Sequence, residues 1–420
     1  MARTRTALAI IAGLGLSVGM LAGPAAPAAE AQVRLGMGRG MGMGTPERIT
    51  TADVEQYSKI LRLTDTQREA VKDLHQAYER EFDAAEKVMR EKLEKIQQDF
   101  QDTQDPSVWT KDMPEVQKTY STRTEALEKS FIGDLKSLLT GEQSARWPAA
   151  ERAQRRARSL GGGMAAIPGF GLAGESVDLI KMVDELRLAK TPETLSQVLD
   201  RYELEIDGAL EARDSKRKEI AETMQKQQQD RMKDGGGMMP DFQKLQEQMG
   251  EMRKSGLPVR NINDRYSTLI AAALPEAQRD DFVNGYKRAK FPNIYKEPYA
   301  IKALNAARAF TDLTSEQKAG IGEITASYQR DVAGANERYE RAQMEAEKDG
   351  GGDDMVSGWM RMMGGDQGKD ESELTVAKKE RRKLDSDALA KLKDILTPEQ
   401  KDRLPEREND MFGFGGPRRR

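Results

Sequence analysis

The chain has 420 residues, 33% of them charged and 37% hydrophobic, with 67 basic against 70 acidic side chains. So even a balance excludes a broad positive field for nucleic acid, and the lack of cysteine excludes disulfides and thiol chemistry. The composition opposes one thick globular core and fits long helices that each bury a single apolar stripe.

Residues 1–31 read as a secretory signal. Arg3 and Arg5 give a basic start, Ala7 to Gly23 is an apolar and glycine run, and Ala29-Glu30-Ala31 supplies small residues for cleavage. A retained membrane anchor is the alternative, opposed by the shortness and glycine content of the run. Without residues 1–31 the balance is 65 basic against 69 acidic, or −4. No later run approaches spanning length, so the expected mature chain is soluble, without a stable membrane span, and periplasmic or secreted. Residues 32–46, with Gly36-Met37-Gly38 and Gly40 to Gly44, read as a flexible leader.

Three units follow: residues 47–159, 175–292 and 293–411. Leu61-Arg62-Leu63 recurs as Leu186-Arg187-Leu188, and Phe310-Thr311-Asp312-Leu313 takes the same place in the third unit. After each anchor leucine the apolar residues step by about three and four. In the first unit they are Val71, Leu74, Tyr78, Phe82, Ala85 and Met89. In the second the series is Leu195, Val198, Tyr202, Ile206, Ala209 and then Arg213. In the third it is Ile321, Ile324, Tyr328, Val332, Ala335 and Tyr339. This predicts one helical unit used three times.

Each unit is expected to hold a short lead-in helix, a long helix, a returning long helix and a short closing helix. The lead-ins are Ala52 to Leu61, Ser176 to Leu186 and Tyr299 to Phe310. The returning stripes are Leu127, Phe131, Leu135, Leu138; Ile262, Tyr266, Ile270, Ala273; and Leu384, Ala388, Leu392, Ile395. In the first long helix Val71, Phe82 and Leu93 recur every eleven residues, which keeps the stripe nearly straight and argues against a heptad coiled coil. Residues 160–174 are read as a glycine-rich linker. The link from Phe291-Pro292 to Glu297-Pro298 is short and proline-punctuated, as for packed neighbours. Residues 412–420 form a glycine and arginine tail. The predicted class is therefore all-α: three tandem helical hairpins with short capping helices, separated by Gly/Met-rich flexible segments.

Four sites share Leu-Thr-x-x-Gln: Leu63, Thr64 and Gln67; Leu139, Thr140 and Gln143; Leu313, Thr314 and Gln317; Leu396, Thr397 and Gln400. Threonine at an N-cap accepts from an orphaned backbone N–H, and glutamine three residues on returns a bond to the cap, closing a capping box. In the middle unit Leu188-Ala189-Lys190-Thr191 and Leu274-Pro275-Glu276-Ala277-Gln278 stand in place of the motifs. On these residues the chain resembles the periplasmic Spy/CpxP family, in which two such motifs bracket a helical hairpin. The resemblance covers about 340 residues in three copies, the middle one degenerate. It implies an exported, all-helical, ATP-independent chaperone or envelope-stress protein that holds unfolded or partly folded exported proteins on helical surfaces. Family members dimerise, so self-association is open here; some relatives sense or buffer metals.

Methionines gather where hairpins should turn. Met238, Met239, Met249 and Met252 in the second unit, and Met355, Trp359, Met360, Met362 and Met363 in the third, are the candidate client-contact residues. A ligand-free loop and a Cu(I)-binding thioether cluster are the other two readings. His75, the one histidine, has too few companion ligands for zinc and is expected to be solvated or interhelical. The chain has no phosphate-binding loop, nucleophile elbow or zinc-protease helix, so no catalytic residue, metal ligand or cofactor is assigned. A metal-buffering protein using the methionine loops and a helical spacer without client activity remain as alternative functions.

Overall fold

The structure is a computed structural model that describes residues 48–104, 107–161, 171–233, 242–348 and 372–406. The signal, leader and tail lie outside these residues, as do Met238, Met239, Met355, Trp359, Met360, Met362 and Met363. Among the described residues all regular structure is helical. The first unit holds α1 (Thr51–Ile60), α2 (Asp65–Thr103), α3 (Ser107–Ser137), α4 (Gly141–Ser144) and α5 (Trp147–Gly161). The second holds α6 (Leu179–Glu185), α7 (Glu193–Lys233), α8 (Phe242–Lys254), α9 (Leu257–Ala273) and α10 (Glu276–Lys290). The third holds α11 (Pro292–Tyr295), α12 (Tyr299–Arg308), α13 (Ser315–Ala346), α14 (Glu373–Ile395) and α15 (Pro398–Asp402).

The long helices pair antiparallel as α2 with α3, α7 with α9, and α13 with α14. Each seam is built from the repeated stripe. Hairpin 1 buries Val71, Tyr78 and Phe82 against Phe131 and Leu135. Hairpin 2 buries Leu195, Tyr202 and Ile206 against Tyr266 and Ile270. Hairpin 3 buries Ile321 against Leu392, and Tyr328 against Ala388. At about 1.5–3 kcal/mol for each fully buried aliphatic or aromatic side chain, these stripes supply most of the favourable term that holds the pairs together.

Every lead-in helix is tied down by its neighbours. The Ile49 N–H donates to the Tyr78 hydroxyl at 3.1 Å, and His75 Nε2 lies 2.9 Å from the Ile49 carbonyl. His75 is therefore buried, between Tyr78 and Phe131, rather than solvated. In hairpin 2 the Tyr202 hydroxyl takes the Leu179 N–H and donates to Asn263 Oδ1, while Asn263 Nδ2 serves the carbonyls of Gly174 and Val177. Helix α1 ends with Arg62 in the left-handed region (φ 53°), its N–H on the Lys59 carbonyl and the Leu63 N–H on that of Ser58. That is a Schellman end, and the recurring Leu-Arg-Leu is its sequence trace, with Arg187 likewise left-handed at φ 49°.

Three expectations are corrected. The returning arm of hairpin 2 is two helices, α8 and α9, broken at Ser255-Gly256. Gly256 abuts the buried Glu175 carboxylate, which Arg213, Arg217 and the Leu172 N–H hold in place; a Cβ there would overlap it. Second, residues 160–174 are not wholly linker. Leu160 ends α5 inside the hairpin 2 core, and Leu172 and Ala173 are buried. Third, Met249 and Met252 are both 6% exposed, so neither thioether is presented to a client. Their helix α8 packs along α7, and burial of its apolar face takes both side chains inside.

The units are joined by packed contacts. Helix α5 lies on α7 through Arg152 and Arg156 to Glu203 and Arg155 to Asp207, and Arg156 also reaches Asp178 at the start of α6, all at 2.8–3.3 Å. Hairpins 2 and 3 meet where Phe291 and Ile294 pack with Tyr339, Ala342 and Leu374, and where Arg260 pairs with Glu347 at 3.4 Å.

Candidate functional site

All four Leu-Thr-x-x-Gln sites form the expected capping boxes, at Thr64, Thr140, Thr314 and Thr397. The glutamines do more than cap. Each uses its carbonyl oxygen for the threonine N–H, at 3.0 Å in every case, which leaves its NH2 group free to reach across the hairpin. Gln67 Nε2 donates to Gln143 Oε1 and to the Leu138 carbonyl, while Gln143 Nε2 donates to Gln67 Oε1 and to the Arg62 carbonyl. In hairpin 3 Gln317 Nε2 donates to Gln400 Oε1 at 2.9 Å and to the Ile395 carbonyl at 2.8 Å. Gln400 Nε2 reaches the Asp312 carbonyl at 3.4 Å. The anchor leucines Leu63, Leu313 and Leu396 are buried beside these pairs, and Leu139 is partly buried. The motif residues thus latch the base of a hairpin and place no reactive group in a cavity.

Away from the latch, hairpin 1 opens. A groove of about 350 Å³ lies between α2 and α3, lined by Ala84, Ala85, Val88 and Met89 on one side and Val116, Thr119 and Tyr120 on the other. Val116 and Tyr120 form a buried floor, while Val88 stands 51% exposed. Arg123 reaches from α3 to Glu81 on α2 at 2.8 Å and bridges one end of the groove; Lys92 lies towards the other. Burial, then the nearby Glu86 charge, pushes the Tyr120 hydroxyl up to about 12, so it stays neutral and a hydrogen-bond donor at ordinary pH. The site therefore offers an apolar trough with a mixed-charge rim.

Sequence reasoning assigned Ala85 and Met89 to the buried stripe. They are only partly buried, because among the described residues no third helix packs on this part of the pair. Val88, one position off the stripe, is the signal that was available: a valine on an otherwise charged face. A second cavity of about 370 Å³, beside Trp147, is bordered by Glu128 and Glu151. Both acids are already occupied, Glu128 by Arg158 at 2.8 Å and Glu151 by Lys136 at 3.5 Å, so it belongs to the packing of α5.

Among the described residues no group of three or more histidine, cysteine, aspartate or glutamate side chains is placed to hold a metal ion. None of their helices is long and apolar enough to cross a membrane.

Residues 36–147 match the model of a domain of unknown function, DUF4890. The match contains both motifs of hairpin 1 and every residue that lines its groove. No curated protein and no solved structure matches the chain.

Proposed function

We propose that the protein is an exported holding chaperone that binds unfolded polypeptides without nucleotide, with the α2–α3 groove of hairpin 1 as a principal contact. The groove carries this reading, because it combines an apolar trough with exposed Val88 and charges of both signs at its edge. Apolar burial gains about 25 cal/mol per Å² before the costs of association and chain ordering, and the exposed apolar lining of this groove is small. Little remains after those costs, which suits weak and reversible capture. The mixed-charge rim accepts flanking residues of either sign, so selectivity is low. The family resemblance of the paired motifs points the same way.

The test is light scattering from a chemically denatured client diluted into buffer with the mature chain, residues 32–420, at an equimolar level. Suppression by the native protein, and its loss in Val88→Asp with helicity retained, is the expected result. No suppression by the native protein ends the proposal. Equal suppression by Val88→Asp removes the groove from it.

A further inference from the structure

Hairpins 1 and 3 share a latch that hairpin 2 has lost. Counted back from the stripe tyrosines, Thr191 takes the place of Gln67 and Gln317, but it lies outside α7, which starts only at Glu193; counted from the anchor leucine the place falls to Pro192. Proline has no side-chain amide and no N–H, so nothing at this position can reach across the hairpin. Gln278, the counterpart of Gln143 and Gln400, is still present. Its Oε1 is buried with no hydrogen-bond partner, and the cap before it is Pro275, which offers no side-chain bond. A buried carbonyl without a donor costs about 1–3 kcal/mol relative to a satisfied one.

The carbonyls that end α9 are met by other means. Arg279 donates to Ala271 at 3.0 Å and to Leu274 at 3.4 Å. These bonds stay on the closing side of the hairpin and do not tie it to α7. Among the described residues, hairpin 2 is also the one whose returning arm is broken, between α8 and α9. Both joints of the array converge on it: α5 docks on α7, and Arg260 of α9 pairs with Glu347 at the end of α13.

We infer that hairpin 2 is the compliant member of the array. Its base opens between the start of α7 and the start of α10, while hairpins 1 and 3 stay latched, so the two outer hairpins are reset relative to each other through the middle one. Local openings of this kind are seen directly in amide exchange. The inference does not depend on the chaperone reading; it concerns only which base is held shut.

Hydrogen exchange on the full mature chain tests it. After correction for intrinsic rates, amides at the starts of α7 and α10 should exchange about tenfold or more faster than those at the starts of α2 and α13. Equal protection at all three bases overturns the inference. In Ala189→Thr/Pro192→Gln, which restores the opening motif, protection at the base of hairpin 2 should rise towards that of the other two; an unchanged rate in the folded variant overturns it too. Should that variant not fold, a single-residue comparison decides. Gln278→Ala should raise the melting temperature or leave it unchanged, because it removes an unsatisfied buried carbonyl, while Gln143→Ala lowers it. An equal loss in both would mean that Gln278 is already engaged, and the inference falls.

Discussion

Gln67 and Gln143 hold each other by both amide groups: each donates to the other's carbonyl oxygen at 2.9 Å, while the same oxygens cap the two helices. Four helix-end requirements are thereby met by two side chains. Gln143→Ala removes the pair and leaves the Arg62 carbonyl and the Thr140 N–H without their partners. The expected loss is about 1–3 kcal/mol in denaturant unfolding. A double-mutant cycle with Gln67→Ala should return a coupling energy near 1 kcal/mol; zero coupling would mean that the two act only as separate caps.

Tyr78→Phe should destabilise hairpin 1 by about 1–2 kcal/mol, because the buried Ile49 N–H loses its acceptor while the ring packing stays. His75 would still hold the Ile49 carbonyl. The check is a melting curve together with proteolysis at the start of α1, where a loosened lead-in should be cut sooner.

Gly256→Ala should lower stability by about 1–3 kcal/mol, although alanine suits the local backbone (φ −81°). The new methyl would press on the Glu175 carboxylate, held at 2.9 Å by Arg213 and at 2.7 Å by Arg217. A Gly256→Ala protein as stable as the parent would show that this ion cluster can shift without cost.

Stability should fall in alkali. Burial raises both Tyr120 and Tyr339 from the ordinary tyrosine value of 10.0 to about 12. The neutral phenols favour the folded state, and this contribution is fully present below pH 10. Above pH 10 the unfolded chain ionises first, so stability declines and the contribution is gone as pH passes about 12. Tyrosinate absorbance against pH should show these groups titrating well above the exposed tyrosines, with unfolding in the same window. Titration of every tyrosine near pH 10 in the folded protein would count against the burial of Tyr120 beneath the groove.

The sequence alone determined the local order. The three-and-four spacing from Val71 to Met89, repeated from Leu195 and from Ile321, is a direct image of helical periodicity, so the three long helices were legible. The threonine caps were legible too, since a capping box spans only four residues. What the glutamines do with their remaining amide group was not: Gln67 and Gln143 are 76 residues apart, and only the antiparallel register of α2 and α3 brings them together. The same holds for α5, whose Arg152 and Arg155 meet Glu203 and Asp207 of α7, 51 and 52 residues along the chain, a pairing that only the fold creates. Met249 and Met252 looked like loop residues and are buried, because the register of α8 on α7 fixes which of its sides is inside. The groove was a tertiary decision as well: Ala85 and Met89 lie on a stripe that could have been covered, and among the described residues α1 and α5 pack near the base of hairpin 1 and not on that stretch. Contacts within a turn or two of helix are written in neighbouring residues. Those that depend on how two rods align are not, because a shift of one helical turn keeps every local preference and changes every partner.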